Sequence, residues 1–178
     1  DFAFLQQAGA VAGFTVEEAA TVELNGSRVS STRVREALQA ADFVEAEHLL
    51  GRPFAIAGRV VHGQKLGRQL GTPTANVQLK RHRVPLNGVF LVSMELEGVL
   101  QPGVANIGVR PSVKADGFAH LEVHLLDFAG DLYDRRVSVV FHHKLRDEQR
   151  FASLEALKSA IAADVVAARA YWQAQLNS

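Results

Sequence analysis

One glycine-rich run and one alternating hexad carry most of the chemistry this sequence could perform. The run is Gly63-Gln64-Lys65-Leu66-Gly67-Arg68-Gln69-Leu70-Gly71-Thr72-Pro73-Thr74-Ala75-Asn76. Its glycines let backbone N–H groups come close to an anion, and Lys65 and Arg68 add positive charge. Thr74 and Asn76 are two residues apart, so in an extended segment they face the same side. A hydroxyl and an amide carbonyl on one side form a modest oxygen site suited to Mg²⁺, which takes few protein ligands and keeps substrate phosphates and waters. The run is not a Walker A loop, because no Gly-Lys-Ser/Thr follows, and no Gly-x-Gly-x-x-Gly fingerprint occurs. A plain surface hairpin loop is the competing reading.

The hexad is His120-Leu121-Glu122-Val123-His124-Leu125. Leu121, Val123 and Leu125 face one way on a strand, and His120, Glu122 and His124 face the other. Three readings follow for the polar face. It is a solvated outer face, or Glu122 is a base that accepts the proton of a substrate hydroxyl in phosphoryl transfer. The third is a metal site of two His and one Glu on a barrel strand.

These residues need elements to hold them, and composition bounds what those elements are. The chain has 178 residues, 48% hydrophobic and 21% charged, enough apolar content for a sizeable core. Lys+Arg and Asp+Glu both number 19, so bulk charge does not argue for nucleic acid or membrane. That balance hides a local excess. No Asp or Glu lies between Glu47 and Glu95, while Arg52, Arg59, Lys65, Arg68, Lys80, Arg81 and Arg83 all do. Such a stretch, interleaved with glycines, suits a loop that meets phosphate, or else a solvated basic edge. Cysteine is absent, which excludes a disulfide scaffold, a Cys-ligated zinc and a thiol nucleophile, and fits a reducing cytoplasm. No apolar run approaches a membrane span, and the start has no basic signal region.

Residues 1–50 read as α-rich. Ser30-Ser31-Thr32 offers capping hydroxyls before Val34, Ala37 and Leu38 at helical spacing, and a short helix is expected over Phe43–Leu50. Gly51-Arg52-Pro53 breaks the pattern and marks the expected boundary between residues 1–50 and 51–178. Strands are expected at Phe54–Val61, near Asn76–Leu79, and at Val89–Leu96, Val104–Ile107, Leu121–Leu126 and Val137–Phe141. Six short strands without intervening helices suggest an antiparallel barrel or sandwich. Leu154, Leu157, Ile161, Val165, Ala168 and Trp172 then share one face of a helix over residues 153–176, with Trp172 expected in the core.

Several blocks resemble riboflavin kinase. They are Val60-Val61-His62-Gly63 with Leu70-Gly71-Thr72-Pro73-Thr74-Ala75-Asn76, then Gly103–Pro111, Glu122–Phe128, Asp131-Leu132-Tyr133 and Leu145–Phe151. The closer likeness is to the kinase module of bacterial bifunctional riboflavin kinase/FAD synthetases, over residues 52–176. The resemblance implies a mainly β fold, a six-stranded antiparallel Greek-key barrel with a C-terminal helix, preceded by a short α-rich segment. It implies phosphoryl transfer from ATP to the ribityl 5′-hydroxyl of riboflavin, giving FMN and ADP. It also implies roles. Thr74 and Asn76 match the Mg²⁺–ATP ligands, and Gly63 and Arg68 sit in the nucleotide-binding flap. Glu122 matches the catalytic base, and Arg146 lies in the second flap, over the flavin.

Residues 1–50 fit the same resemblance as the end of the adenylyltransferase module, through Ser30-Ser31-Thr32-Arg33-Val34-Arg35. That module's His-x-Gly-His motif has no counterpart here, so FAD synthesis is not expected of this chain. Ser31 and Arg35 then reduce to a cap and a solvated charge. A non-catalytic barrel that binds flavin nucleotide or single-stranded nucleic acid is the alternative. It would need exposed stacking aromatics, and residues 55–89 contain none. The expected partners are riboflavin and ATP, with no nucleic acid and no membrane, in the cytoplasm.

Overall fold

The structure, a computed structural model, describes residues 1–18, 20–63, 67, 71–79, 84–109 and 119–176. Helix α1 spans Phe2–Ala12, and a two-residue hairpin follows, β1 (Glu23–Leu24) with β2 (Ser27–Arg28). Then come α2 (Ser31–Gln39), α3 (Phe43–Leu50), β3 (Ala55–Val61) and β4 (Ala75–Gln78). β5 (Gly88–Leu96), β6 (Val99–Val109), β7 (Ala119–Leu125), β8 (Arg136–Arg146) and α4 (Leu154–Leu176) complete the chain.

The six strands β3 to β8 close into a barrel in the order β3-β4-β7-β6-β5-β8, every pair antiparallel. β5, β6 and β7 form a meander and β8 returns beside β5, which is Greek-key connectivity. Closure leaves no free sheet edge. Alternation does the sorting. Along β7, Ala119, Leu121, Val123 and Leu125 are buried inside, while His120, Glu122 and His124 point outward and are half-buried. Val60, Val77, Phe90, Val92, Met94, Ala105, Ile107, Val137, Val139 and Phe141 fill the same interior.

The helices start and stop where their residues dictate. Asp42 caps α3 by accepting from the Glu45 N–H at 2.9 Å, and Gly51 ends it in the left-handed region at φ 68°. Ser30 caps α2. Ser31 and Arg35 are exposed, whereas Arg33 donates to Glu45 at 2.8 Å and to the Ser27 and Arg28 carbonyls. α3 then inserts Phe43 among the interior rings, edge-on to Phe90 at 5.9 Å and stacked on Phe141 at 6.1 Å. Phe54 and Phe90 pack on Phe141 from other sides, so α2 and α3 share the barrel's core.

Helix α4 lies on the outer face of β5 and β6. Ala168, Val165, Tyr171 and Trp172 pack there with Val89, Leu91, Val104 and Leu126. Arg169 holds Asp127 through two hydrogen bonds of 2.6 and 2.7 Å, which draws the Asp127 carboxyl below its ordinary pKa. Trp172 stands edge-on to His142, whose Nε2 meets Ser93 Oγ at 2.8 Å. Burial lowers the His142 pKa, against a weaker opposing pull from Glu47 on α3. Among the described residues no helix is long and apolar enough to cross a membrane.

Two stability outcomes follow. Phe141→Ala removes a ring that is 2% exposed and touches three other rings, so denaturant unfolding should show a loss of about 3–5 kcal/mol. A loss below about 1 kcal/mol would mean the cluster does not tie α3 to the barrel. His142 is held neutral in the fold, so its contribution is present above its unfolded pKa of about 6.5 and is lost as pH falls below that value. The slope is at most about 1.4 kcal/mol per pH unit. His142→Gln keeps an amide where Nε2 sits and removes the titration. Melts of the two proteins between neutral and mildly acid pH should therefore diverge, and parallel curves would contradict the assignment.

Candidate functional site

Antiparallel register lines up the outward residues of three neighbouring strands. Asn76 on β4 lies opposite Glu122 on β7, and Glu122 lies opposite Asn106 on β6. Directly opposed residues have Cβ atoms about 4.5–5.5 Å apart. The three polar side chains therefore form one row across the outside of the barrel. The same register carries Val61 of β3 beside Asn76. A one-residue slip would turn Glu122 into the core, so the apolar alternation of β7 is what aims the carboxylate outward.

A cleft of about 240 Å³ opens over this row. Thr74, Asn106, Glu122 and His124 line it. The apolar side chains Val89, Val104, Phe151, Leu157, Ile161 and Val165 line it too, together with Arg146, Glu148, Gln149 and Asp164. A second cleft of about 410 Å³ lies beside it, lined by Val60, Pro73, Thr74, Phe128, Asp131, Tyr133 and their neighbours. Thr74 lines both, so the two clefts meet at its side chain. Tyr133 at the second cleft stacks on His62, ring centroids 3.9 Å apart.

Glycine positions make room for these side chains. A Cβ at Gly63 would collide with the Asn76 side-chain amide. A Cβ at Gly67 would fall 2.5 Å from the Thr72 carbonyl and 3.2 Å from Thr74 Oγ1. The glycines of the run thus admit the Thr74 and Asn76 side chains, a constraint beyond backbone approach to an anion. Arg68 and Lys65 lie outside the described residues, as do Lys80, Arg81 and Arg83.

Arg146 ends β8 at the rim of the first cleft. Two register shifts between β5 and β8, at Val89/Phe90 and Leu91/Val92, alter which way the end of β8 faces. Gly88, at φ 127°, lets β5 pass close to the Arg146 carbonyl. The Arg146 guanidinium donates to both carboxylate oxygens of Asp164 on α4, at 2.8 to 3.2 Å, and lies 5.6 Å from the centre of the Phe151 ring. The loop after β8 is therefore fastened to α4 through a partly buried ion pair. Asn106 Nδ2 meets Glu148 of that loop at 3.5 Å, and its Oδ1 is buried without a hydrogen-bond partner.

Of the residues singled out in the sequence, Thr74, Glu122 and Arg146 share the first cleft. Asn76 sits one strand away, beside Glu122 through register, and Gly63 lies against the Asn76 side chain. The His–Glu–His metal reading does not assemble. Among the described residues no group of three His, Cys, Asp or Glu is placed to hold a metal, and His124 Nδ1 is instead 2.9 Å from the Pro73 carbonyl oxygen. Sequence reasoning missed Asp164, Asn106 and the cleft-facing part of α4. Asp164 carried a signal: an acid three residues after Ile161 and four before Ala168, on an otherwise apolar stripe, needs a buried cation. Trp172, expected in the core, is half-buried and packs against the apolar cluster that joins α4 to the barrel.

Comparison with known proteins agrees with this geometry. Residues 50–172 match the riboflavin kinase (Flavokinase) family. A bifunctional riboflavin kinase/FMN adenylyltransferase of Pseudomonas fluorescens is 77% identical over 170 residues, which cover 96% of this chain and 55% of that protein. The enzyme of the same name from Escherichia coli K12 is 52% identical over 175 residues, 97% of this chain and 55% of that protein. The chain thus spans about half the length of these curated relatives. A crystal structure of a Streptococcus pneumoniae protein named as a macrolide-efflux protein superposes with a TM-score of 0.73 at 33% identity, covering 88% of this chain and 52% of that one. The matched family segment runs through all six barrel strands and most of α4, and this chain belongs to the riboflavin kinase family.

Proposed function

We propose that the barrel transfers the γ-phosphoryl group of ATP to the ribityl 5′-hydroxyl of riboflavin, giving FMN and ADP. The observation that carries this is the meeting of two clefts at Thr74, with Glu122 on one side of the junction. The first cleft suits riboflavin. Its apolar lining, which includes Phe151, Leu157, Ile161 and Val165, suits a fused aromatic ring, and its polar residues Thr74, Asn106 and Glu122 suit a polyhydroxyl chain. The second cleft, lined by the Pro73-Thr74-Ala75 end of the glycine-rich run, would take the nucleotide, with Gly63 and Arg68 as nucleotide-binding residues.

Phosphoryl transfer asks a protein mainly for position and charge. Glu122 accepts the hydroxyl proton as the ribityl oxygen bonds to phosphorus and the bond to the ADP oxygen breaks. Thr74 and Asn76 offer a hydroxyl and an amide oxygen, hard donors that fit Mg²⁺ carried in with the phosphates, and the Gly63 and Gly67 gaps let both side chains adopt their places. When bound, Mg²⁺ would neutralise charge on the phosphate oxygens. Arg146 holds the flavin side of the cleft by fixing Phe151 and the loop after β8 against α4.

The division of the chain belongs to the same proposal. Residues 1–50 would be the end of an adenylyltransferase module, and residues 51–178 the kinase domain. The absence of cysteine in the sequence supports a reducing cytoplasmic setting.

Riboflavin with Mg²⁺–ATP, read as FMN by chromatography, tests the reading directly, and no riboflavin-dependent FMN would refute it. Glu122→Gln keeps shape and removes the base, so turnover should drop about 10²–10⁴-fold with both KM values little changed. More than about a third of wild-type turnover would exclude Glu122 as the base.

Thr74→Ala and Asn76→Ala should weaken Mg²⁺–ATP use while costing about 1 kcal/mol of stability. Titration of Mg²⁺ at fixed ATP checks this: both variants should need more metal, and wild-type activity at low Mg²⁺ would contradict the ligand role.

A further inference from the structure

The β4–β7 ladder stops one residue short of Thr74. Its last pair is Ala75 with Val123. Continued by one step, the antiparallel register would set Thr74 against His124. Thr74 instead lies ahead of β4, after Pro73, which has no N–H to donate to any ladder. The His124 ring spans this gap. Its Nδ1 lies 2.9 Å from the Pro73 carbonyl oxygen, 51 residues away in sequence. A carbonyl oxygen only accepts, so Nδ1 carries the proton and donates. Thr74 is thereby held between two attachments, the Ala75–Val123 pair on one side and the His124–Pro73 bond on the other.

We propose that His124 is a positioning residue that fixes the Thr74 hydroxyl at the junction of the two clefts. This rests on the kinase reading above for its consequence, though not for its geometry. The ring acts through Pro73. Upstream of Thr74 the described backbone has one further tie, the Thr72 N–H to the Gly67 carbonyl at 2.9 Å, and that bond is internal to the run itself. Without the His124 bond, nothing among the described residues fastens the carbonyl side of Pro73 to the barrel. Thr74 would then sample positions in which its oxygen does not face the phosphates. Glu122, two residues away on the same face, is held by ladders to β4 and β6 and does not depend on the bond.

The identity of the bonded nitrogen gives a sharp test. Asparagine places its amide N–H where Nδ1 of histidine sits, while glutamine places its amide nearer Nε2. His124→Asn should therefore restore the bond, and His124→Gln should not. In steady-state assays, His124→Ala and His124→Gln should raise KM for Mg²⁺–ATP about 5–10-fold, the scale of one neutral hydrogen bond. His124→Asn should stay within about 2-fold on the same KM, less than one such bond. Hydrogen exchange reads the same bond without catalysis. The amides of residues 74–76 should exchange faster in the Ala and Gln variants and keep their protection in Asn, with β7 amides unchanged in all three. If wild type made no FMN, the kinase reading would fall and the exchange pattern would still judge the positioning bond. Glutamine behaving as wild type in both readouts, or asparagine behaving as alanine, would overturn the assignment.

Discussion

The register of β7 between β4 and β6 is the constraint on which the site depends. It is fixed by burial. Leu121, Val123 and Leu125 must all enter the core together, and a slip of one residue would expose all three and bury Glu122. Burying an unpaired carboxylate is costly enough to exclude that alternative. The apolar face of one strand thus aims a catalytic candidate, and its neighbours Asn76 and Asn106 follow because closure of the barrel leaves no other pairing.

Around that row the fold builds walls from two different sources. One wall is helical: α4 uses Ala168, Tyr171 and Trp172 to grip the barrel. It presents Leu157 and Ile161, earlier on nearly the same stripe, to the cleft. The other wall is loop backbone, which cannot pack a core and is fastened by polar contacts instead. The Arg146–Asp164 pair fastens the loop after β8, and His124 fastens the segment before β4. Truncating either partner of a partly buried ion pair leaves a charge behind, so these contacts are more brittle than the apolar wall.

Much of this was legible in the residues. Alternation in β7 and heptad-like spacing in α4 located both elements to within about two residues, because each has one buried face. Legibility failed where the backbone departs from the simple period. The strand expected at Val137–Phe141 runs on to Arg146, since a register shift near His142 breaks the inward rhythm of Val137, Val139 and Phe141. The strand expected at Val104–Ile107 begins at Val99, because Pro102 and Gly103 read as breakers. Pro102 is tolerated there: it faces Ser93 on β5, and its carbonyl accepts from the Leu126 N–H at 2.8 Å. Thr74, Glu122 and Arg146 could be singled out because their types announce chemistry. Asn106 and Asp164 could not be placed without knowing which strands and helix face meet.

The proposed transfer requires Glu122 and Thr74 to face the point where a ribityl hydroxyl meets a terminal phosphate. A crystal structure with FMN and Mg²⁺–ADP measures that directly. The ring system should lie against Phe151, Leu157 and Ile161. The ribityl phosphate ester oxygen should lie within about 2.6–3.2 Å of the Glu122 carboxylate, directly or through one water. A flavin bound elsewhere, or seated in this cleft with its phosphate turned away from both Glu122 and Thr74, would contradict it.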